Sequence, residues 1–255
     1  MPSTAESQQG VLVVVPAKDE ARRIGPALLD YLAEARRHPG LRIRFLVVLN
    51  GCRDHTQTVV AELCQRHPEL SWVRYDAPIG KGGAVLAGFR EASDEALLAF
   101  VDADGATPPA DFLRLIGRAR GGSMAIAVRD MSARPAGRRI PSFLFNLWAR
   151  LLFLLPFRDT QCGAKVLCRR LASDILPRMR LSGMAFDVEM LARADRMGAR
   201  IHEEPVVWTD RSGSGVRVFR TGVRMFFDLF LLRFGLAGRP VLERLPAAPD
   251  ARHVA

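Results

Sequence analysis

Five short apolar runs constrain this chain more than any other feature: VLVVV (11–15), FLVVL (45–49), WVRY (72–75), LLAFV (97–101) and MAIAV (124–128). Each is too short for a helix and rich in β-branched residues, as expected of strands buried on both faces of a parallel sheet. Between them lie stretches with helical spacing, among them Ile24, Leu28, Leu29 and Leu32, then Val59, Val60 and Leu63. Strands alternating with helices predict βαβ units: an α/β fold whose mostly parallel central sheet carries helices on both faces. The expected organisation is a disordered N-terminal tail over 1–10, one domain over 11–236, and a Pro/Ala-rich C-terminal tail over 237–255.

Composition narrows the partners. The 37 Lys and Arg outnumber the 27 Asp and Glu, giving net +10, a balance that attracts nucleic acid, nucleotide phosphates or an acidic membrane face. Two Tyr and no aromatic-rich strand leave no platform for stacked bases, so nucleic acid is not an expected partner. Cys52, Cys64, Cys162 and Cys168 lack CxxC spacing and read as reduced thiols of a cytoplasmic protein. The start MPSTAESQQG lacks the basic and apolar parts of a signal peptide. Arg150, Arg158, Arg224 and Arg233 interrupt the two best candidate spans, so no bilayer crossing is expected. Those two segments, 143–157 and 218–236, mix arginine with aromatics in the manner of helices lying at a membrane interface. Core helices or a homo-oligomer face are the other readings.

Ligands of open α/β sheets bind beyond the carboxyl ends of the strands. After the first run comes PAKDE, with Pro16 ending the strand and Asp19 placed to cap a helix from Glu20. After the second, Asn50 offers a donor and an acceptor suited to a nucleobase edge, and Asp54 caps the next helix. GKGGAVLAG (80–88) sets glycines and Lys81 at a helix start, where backbone can approach phosphate. Arginine greatly outnumbers lysine, yet Lys18, Lys81 and Lys165 all fall in turn-like contexts. The strongest local signal is LLAFVDADGATPP (97–109): Asp102 and Asp104 leave a strand end together, and such hard oxygen ligands favour Mg²⁺ or Mn²⁺ shared with a diphosphate. Asp111 reads as a first-turn acid of the following helix.

Together with VVVPAKDE, GKGGAVLAGF and DADGATPPADF, the chain carries Arg138, Ser142 and Asn146 in an RxxxSxxxN run, DTQCGAKV (159–166), FDVEML (186–191) and WTDRSGS (208–214). In this order the motifs resemble the family 2 glycosyltransferases of GT-A fold, of the dolichyl-phosphate β-glucosyltransferase type, with the polyprenyl-phosphate mannosyltransferases next. The resemblance covers about residues 11–236 and implies a GT-A sheet followed by C-terminal amphipathic helices. It implies inverting transfer of a hexose from a nucleotide sugar, UDP-glucose favoured, to a polyprenyl or dolichyl phosphate, at the cytoplasmic face of a membrane that the protein touches peripherally. The alternative is a family 2 enzyme with GDP-mannose as donor or a soluble or polysaccharide acceptor. By the same resemblance Pro16, Ala17, Glu20, Asn50, Lys81, Asp102 and Ala103 would line the nucleotide, and Asp102 and Asp104 would hold the metal. Arg138, Ser142, Asp159, Gln161, Trp208 and Ser214 would shape the acceptor and sugar pocket. Ala106 agrees with the glucosyl branch, while Asn50-Gly51-Cys52 and Gly215 depart from the family pattern.

The chemistry asks for an acceptor phosphate that attacks the anomeric carbon. Its second pKa is near ~6, so it needs cations more than a base; Arg129, Arg138 and Arg139 are the expected clamp. Asp187 is a candidate base or positioning group and Glu189 a holding group, with buried structural pairing the alternative for both. Cys162 is expected to pack, and His55, His67 and His202 show no metal spacing.

Overall fold

The computed structural model describes residues 9–119, 123–129, 136–208, 218–246 and 252–253, with the side chains of 136–143, 218–220 and 252–253 not described. In chain order the elements are β1 (Gln9–Ala17), α1 (Ile24–Ala35), β2 (Leu41–Asn50), α2 (Thr56–Cys64), β3 (Leu70–Tyr75), α3 (Lys81–Phe89), β4 (Leu97–Val101), α4 (Pro109–Arg118) and β5 (Met124–Arg129). There follow α5 (Ala136–Phe153), β6 (Ala164–Cys168), α6 (Arg169–Ile175), α7 (Phe186–Arg196), β7 (Ile201–Val206), α8 (Val218–Arg233), α9 (Val241–Arg244) and β8 (Arg252–His253). All five expected strands form.

One sheet runs in the order β7-β5-β6-β4-β1-β2-β3-β8. β4, β1, β2 and β3 are mutually parallel, and β5 and β7 are parallel to each other. β6 runs antiparallel to both β4 and β5, so its first residues arrive beside the last residues of β4. Val11 to Val15 and Leu97 to Val101 are all buried, as strands covered on both faces must be. Gly88 lets α3 lie directly on β1, because a Cβ there would stand 2.5 Å from Val14 Cγ1. On α1, Ile24, Leu28, Tyr31 and Leu32 face the core while Leu29 points to solvent. Tyr31 packs edge-on against Phe112 and donates to the Thr107 carbonyl at 2.7 Å, tying α1 to the loop after β4.

Pro16 lies within β1, in register with Val48, so the strand ends one residue later than expected. The expected C-terminal tail holds α9, whose Val241 is buried and donates to the Met179 carbonyl, and β8, which pairs with β3. α9 packs against α3 and the turn at 176–178, taking Val241 out of water. Among the described residues no helix is long and apolar enough to cross a membrane.

Candidate active site

Asp102 follows β4 directly, and its N–H donates to the Gly163 carbonyl at 3.0 Å. A Cβ on Gly163 would lie 1.9 Å from Asp102 Oδ2, so only glycine leaves room for that carboxylate. Lys81, the first residue of α3, places Nζ 2.6 Å from Asp102 Oδ1. Asp104 turns back on itself, Oδ1 accepting from the Ala106 N–H at 3.0 Å. Burial and then the charge of Asp102 push the Asp104 carboxyl above the usual carboxylate range. Burial alone would lower Lys81, but the negative charges of Asp102 and Asp187 hold it above the ordinary lysine value. Ala103 is buried between the two acids.

The β1 side contributes Glu20, whose carboxylate is held by Arg23 through Nε and Nη2, each at 2.7 Å. Burial, with the charges of Asp104 and Asp102 adding to it, raises Glu20 despite Arg23. Glu20 is therefore near enough to the two aspartates to feel their charge. Ala17 is buried and its carbonyl accepts from Cys52 Sγ at 3.3 Å. Asn50 is buried and its Oδ1 accepts from the Ile79 N–H at 2.8 Å, so the acceptor expected to read a base instead holds the approach to α3. Asp19 sits at φ 55° and accepts from the Arg53 N–H at 2.7 Å. It braces the loop after β2 and does not cap α1, which begins at Ile24.

The glycine loop also works differently from expectation. The N–H groups of Gly82 and Gly83 donate to the carbonyls of Gly183 and Ser182. A Cβ on Gly80 would meet Ser182 O at 2.2 Å, and one on Gly82 would meet Phe186 Cβ at 2.5 Å. These glycines seat α3 against the segment before α7, leaving Lys81 as the loop's contribution to the acids.

Two buried ion pairs stand behind this front. Arg129, at the end of β5, grips Asp159 through Nε at 2.7 Å and Nη2 at 2.9 Å, and its own N–H reaches Asp159 Oδ2 at 3.2 Å. Its guanidinium also lies 5.7 Å from the Trp208 ring centre. Two expectations change here. Arg129 is turned to Asp159 rather than offered to an acceptor phosphate, and Asp159 orders the 159–161 loop, accepting also from the Gln161 N–H at 3.0 Å. The second pair is Lys165 and Asp187, 2.8 Å apart, with Lys165 Nζ also donating to the Cys162 carbonyl at 2.7 Å and lying 5.6 Å from the Phe100 ring centre. Lys165 stands opposite Phe100 in the β4–β6 ladder, in a strand and not in a turn. Asp187, 2% exposed, is its counter-ion, the buried structural pairing that stands as the alternative to a base role. Glu189 holds the N–H groups of Arg180 and Leu181 and pairs with Arg193. Burial pushes the Cys162 thiol up to about 12, which suits packing. Arg138, Arg139 and Ser142 fall on α5 with side chains outside those described, and Ser214 lies outside the described residues.

Residues 12–170 match the model of the family described as Glycosyl transferase family 2. The chain belongs to that family. It is 30% identical over 241 residues to a dolichyl-phosphate beta-glucosyltransferase of Dictyostelium discoideum, covering 87% of this chain and 73% of that protein. The human protein of the same name is 30% identical, with 87% and 74% covered. Among solved structures, glucosyl-3-phosphoglycerate synthase from Mycobacterium tuberculosis, in complex with Mn²⁺, uridine diphosphate and phosphoglyceric acid, superposes with a TM-score of 0.66 at 18% identity, covering 92% of this chain and 81% of that one. That likeness establishes the GT-A fold.

In this glycosyltransferase Lys81 and Asp102 pair directly, and Asp104 and Glu20 lie within range of the Asp102 charge. Sequence reasoning missed Gly163, the floor under Asp102; Arg23, the partner of Glu20; and the burial of Lys165. Gly163 and Lys165 both lie in the DTQCGAKV motif, whose glycine just before a short strand was the available signal.

Proposed function

We propose that this glycosyltransferase moves glucose from UDP-glucose, with inversion, to the phosphate of a polyprenyl or dolichyl phosphate, working with Mg²⁺ or Mn²⁺ at the cytoplasmic surface of a membrane. The observation that carries the reading is the meeting of Asp102, Asp104 and Lys81 at the carboxyl end of β4. The names of the 30% identical relatives supply the acceptor class.

The acids suit a divalent ion. They offer hard oxygen donors without His or Cys, and the charge of Asp102 disfavours ionisation of the buried Asp104, a tension that a cation relieves. Among the described residues no third acid, His or Cys completes a metal cluster, so diphosphate and water would supply the remaining ligands. The bound ion would act as a Lewis acid, neutralising charge on the departing diphosphate. Lys81, carrying its charge into the same place, would shift between Asp102 and a phosphate oxygen. The ionised acceptor phosphate needs no general base, consistent with Asp187 being buried and paired with Lys165. Arg138 and Arg139 remain the proposed acceptor cations. Exposed Leu144, Leu151, Phe227 and Phe234 on and after α5 and α8 form an apolar face by which the protein would reach a lipid substrate.

The test is transfer of label from UDP-glucose to polyprenyl phosphate with Mg²⁺ or Mn²⁺, read as counts in the organic phase. Asp104→Ala should lower the rate by about 10²–10³, the scale of losing one preorganised electrostatic group. Label only in a water-soluble product would replace the lipid acceptor with a soluble one, and preference for GDP-mannose would replace the donor. Full activity in Asp104→Ala would end the metal role.

A further inference from the structure

A second basic site lies at the far end of α7. A cleft of about 230 Å³ opens there between the ends of α5, α7 and α8, lined by Arg180, Arg193 and Arg196 against an apolar wall that includes Phe153 and Leu232. Its lining shares no residue with the group formed by Asp102, Asp104, Lys81 and Glu20, so the cleft is distinct from that site.

Glu189 is the one acid of the lining, and its carboxylate is matched within the fold. It accepts from the N–H groups of Arg180 and Leu181 and from Arg193 Nε at 2.9 Å and Nη2 at 2.7 Å. Arg180 reaches the carbonyls of Ala237 and Gly238. Arg196 is exposed, its guanidinium 5.9 Å from the Phe153 ring centre. Three guanidinium groups against one carboxylate leave the cleft positive. Arg193 and Arg196 complement the carboxyl-terminal dipole of α7, but that does not account for Arg180, which comes from a different segment.

The rim gives the cleft its meaning. Leu154, next to Phe153, is 81% exposed; Leu236 and Phe234, flanking Gly235 of the lining, are 67% and 61% exposed. Arginines at the base of a bare apolar rim are complementary to a molecule with an anionic head and hydrocarbon chains. We infer that the cleft binds the phosphate of an anionic glycerophospholipid, with Leu154, Phe234 and Leu236 entering the acyl boundary. The inference rests on the membrane-surface part of the proposed function and adds a headgroup site that is separate from donor and acceptor.

The experiment uses the full chain and neither sugar nucleotide nor polyprenyl phosphate, so its failure is distinct from failure of the transfer reading. Flotation with vesicles of phosphatidylcholine alone and of phosphatidylcholine mixed with phosphatidylglycerol should show capture by the mixed vesicles only. Arg196→Gln should weaken that capture about fivefold and Arg196→Glu more, while stabilisation by UDP and Mn²⁺ in thermal unfolding stays unchanged in both. Phe234→Ser should reduce capture without altering the preference for anionic lipid. Equal capture of wild type and both Arg196 variants overturns the inference, as does equal capture by neutral vesicles. Stabilisation of wild type but not Arg196→Gln by inorganic phosphate, without vesicle capture, would assign the cleft to a soluble anion instead.

Discussion

The two sides of the sheet solve the burial problem in different ways. From β4 through β1, β2 and β3 the strands are parallel and apolar, and several ion pairs lie near water, as in Arg42 with Asp94 and Arg36 with Glu69. On the side of β6, β5 and β7 the direction reverses at β6, and charges go inside: Lys165 with Asp187, Arg129 with Asp159. The apolar side is stabilised by area removed from water and tolerates changes at its rim. The other side depends on a few exact partnerships, since a buried ion without its counter-ion is severely disfavoured. Those partnerships stand next to Asp102, so the stiffness they give is placed where the site needs fixed geometry.

Breaking Lys165 should have the largest effect. Lys165→Met strands Asp187 in the core and should lower unfolding free energy by about 3–5 kcal/mol in urea titrations; Lys165→Met with Asp187→Leu should recover much of it. A loss under about 1 kcal/mol would remove the distinction between the two sides. Asp159→Asn should lower stability by about 1–3 kcal/mol at neutral pH, with a pH signature. Burial raises the Asp159 carboxyl, but Arg129 outweighs burial and holds it below the usual carboxylate range. A depressed carboxylate contributes stability above its unfolded pKa and loses it as pH falls through the folded value. The gap between wild type and Asp159→Asn, followed by urea midpoints, should therefore shrink on acidification and be constant above neutrality. On the apolar side, Gly88→Ala drives a methyl into Val14 and should lower stability by about 1–3 kcal/mol with no dependence on pH. Asp94→Asn, fully at the surface, should leave the urea midpoint unchanged.

The same contrast explains what the sequence made legible. β1 to β5 announce themselves because strands buried on both faces read as unbroken apolar runs, and Asp102 and Asp104 stand out against such a run. β6 hides because Lys165 interrupts AKVLC, and β7 because IHEEPV carries two glutamates and a proline. Both are made acceptable by partners far away in sequence, such as Asp187 for Lys165 and Arg114 and Arg118 for Glu204. Local pattern contains no trace of those partners. Arg129 and Asp187 were recognisable as important but not in their orientation, because an arginine's role depends on which carboxylate lies within reach. The glycines of 80–83 misled for a related reason: close packing on residues 182–186 and close approach to phosphate ask for the same missing side chain.

The reversal at β6 sets a limit on modular reuse. Residues 9–129 look like a transplantable nucleotide-sugar cassette, with both acids and Lys81 included. Yet the surface on which Asp102 rests is supplied by residue 163, from across the strand junction. A graft or chimera that cuts between β5 and β6 would inherit the acids without their floor, and must carry the chain through at least Asp187 to keep that floor and the partner of Lys165.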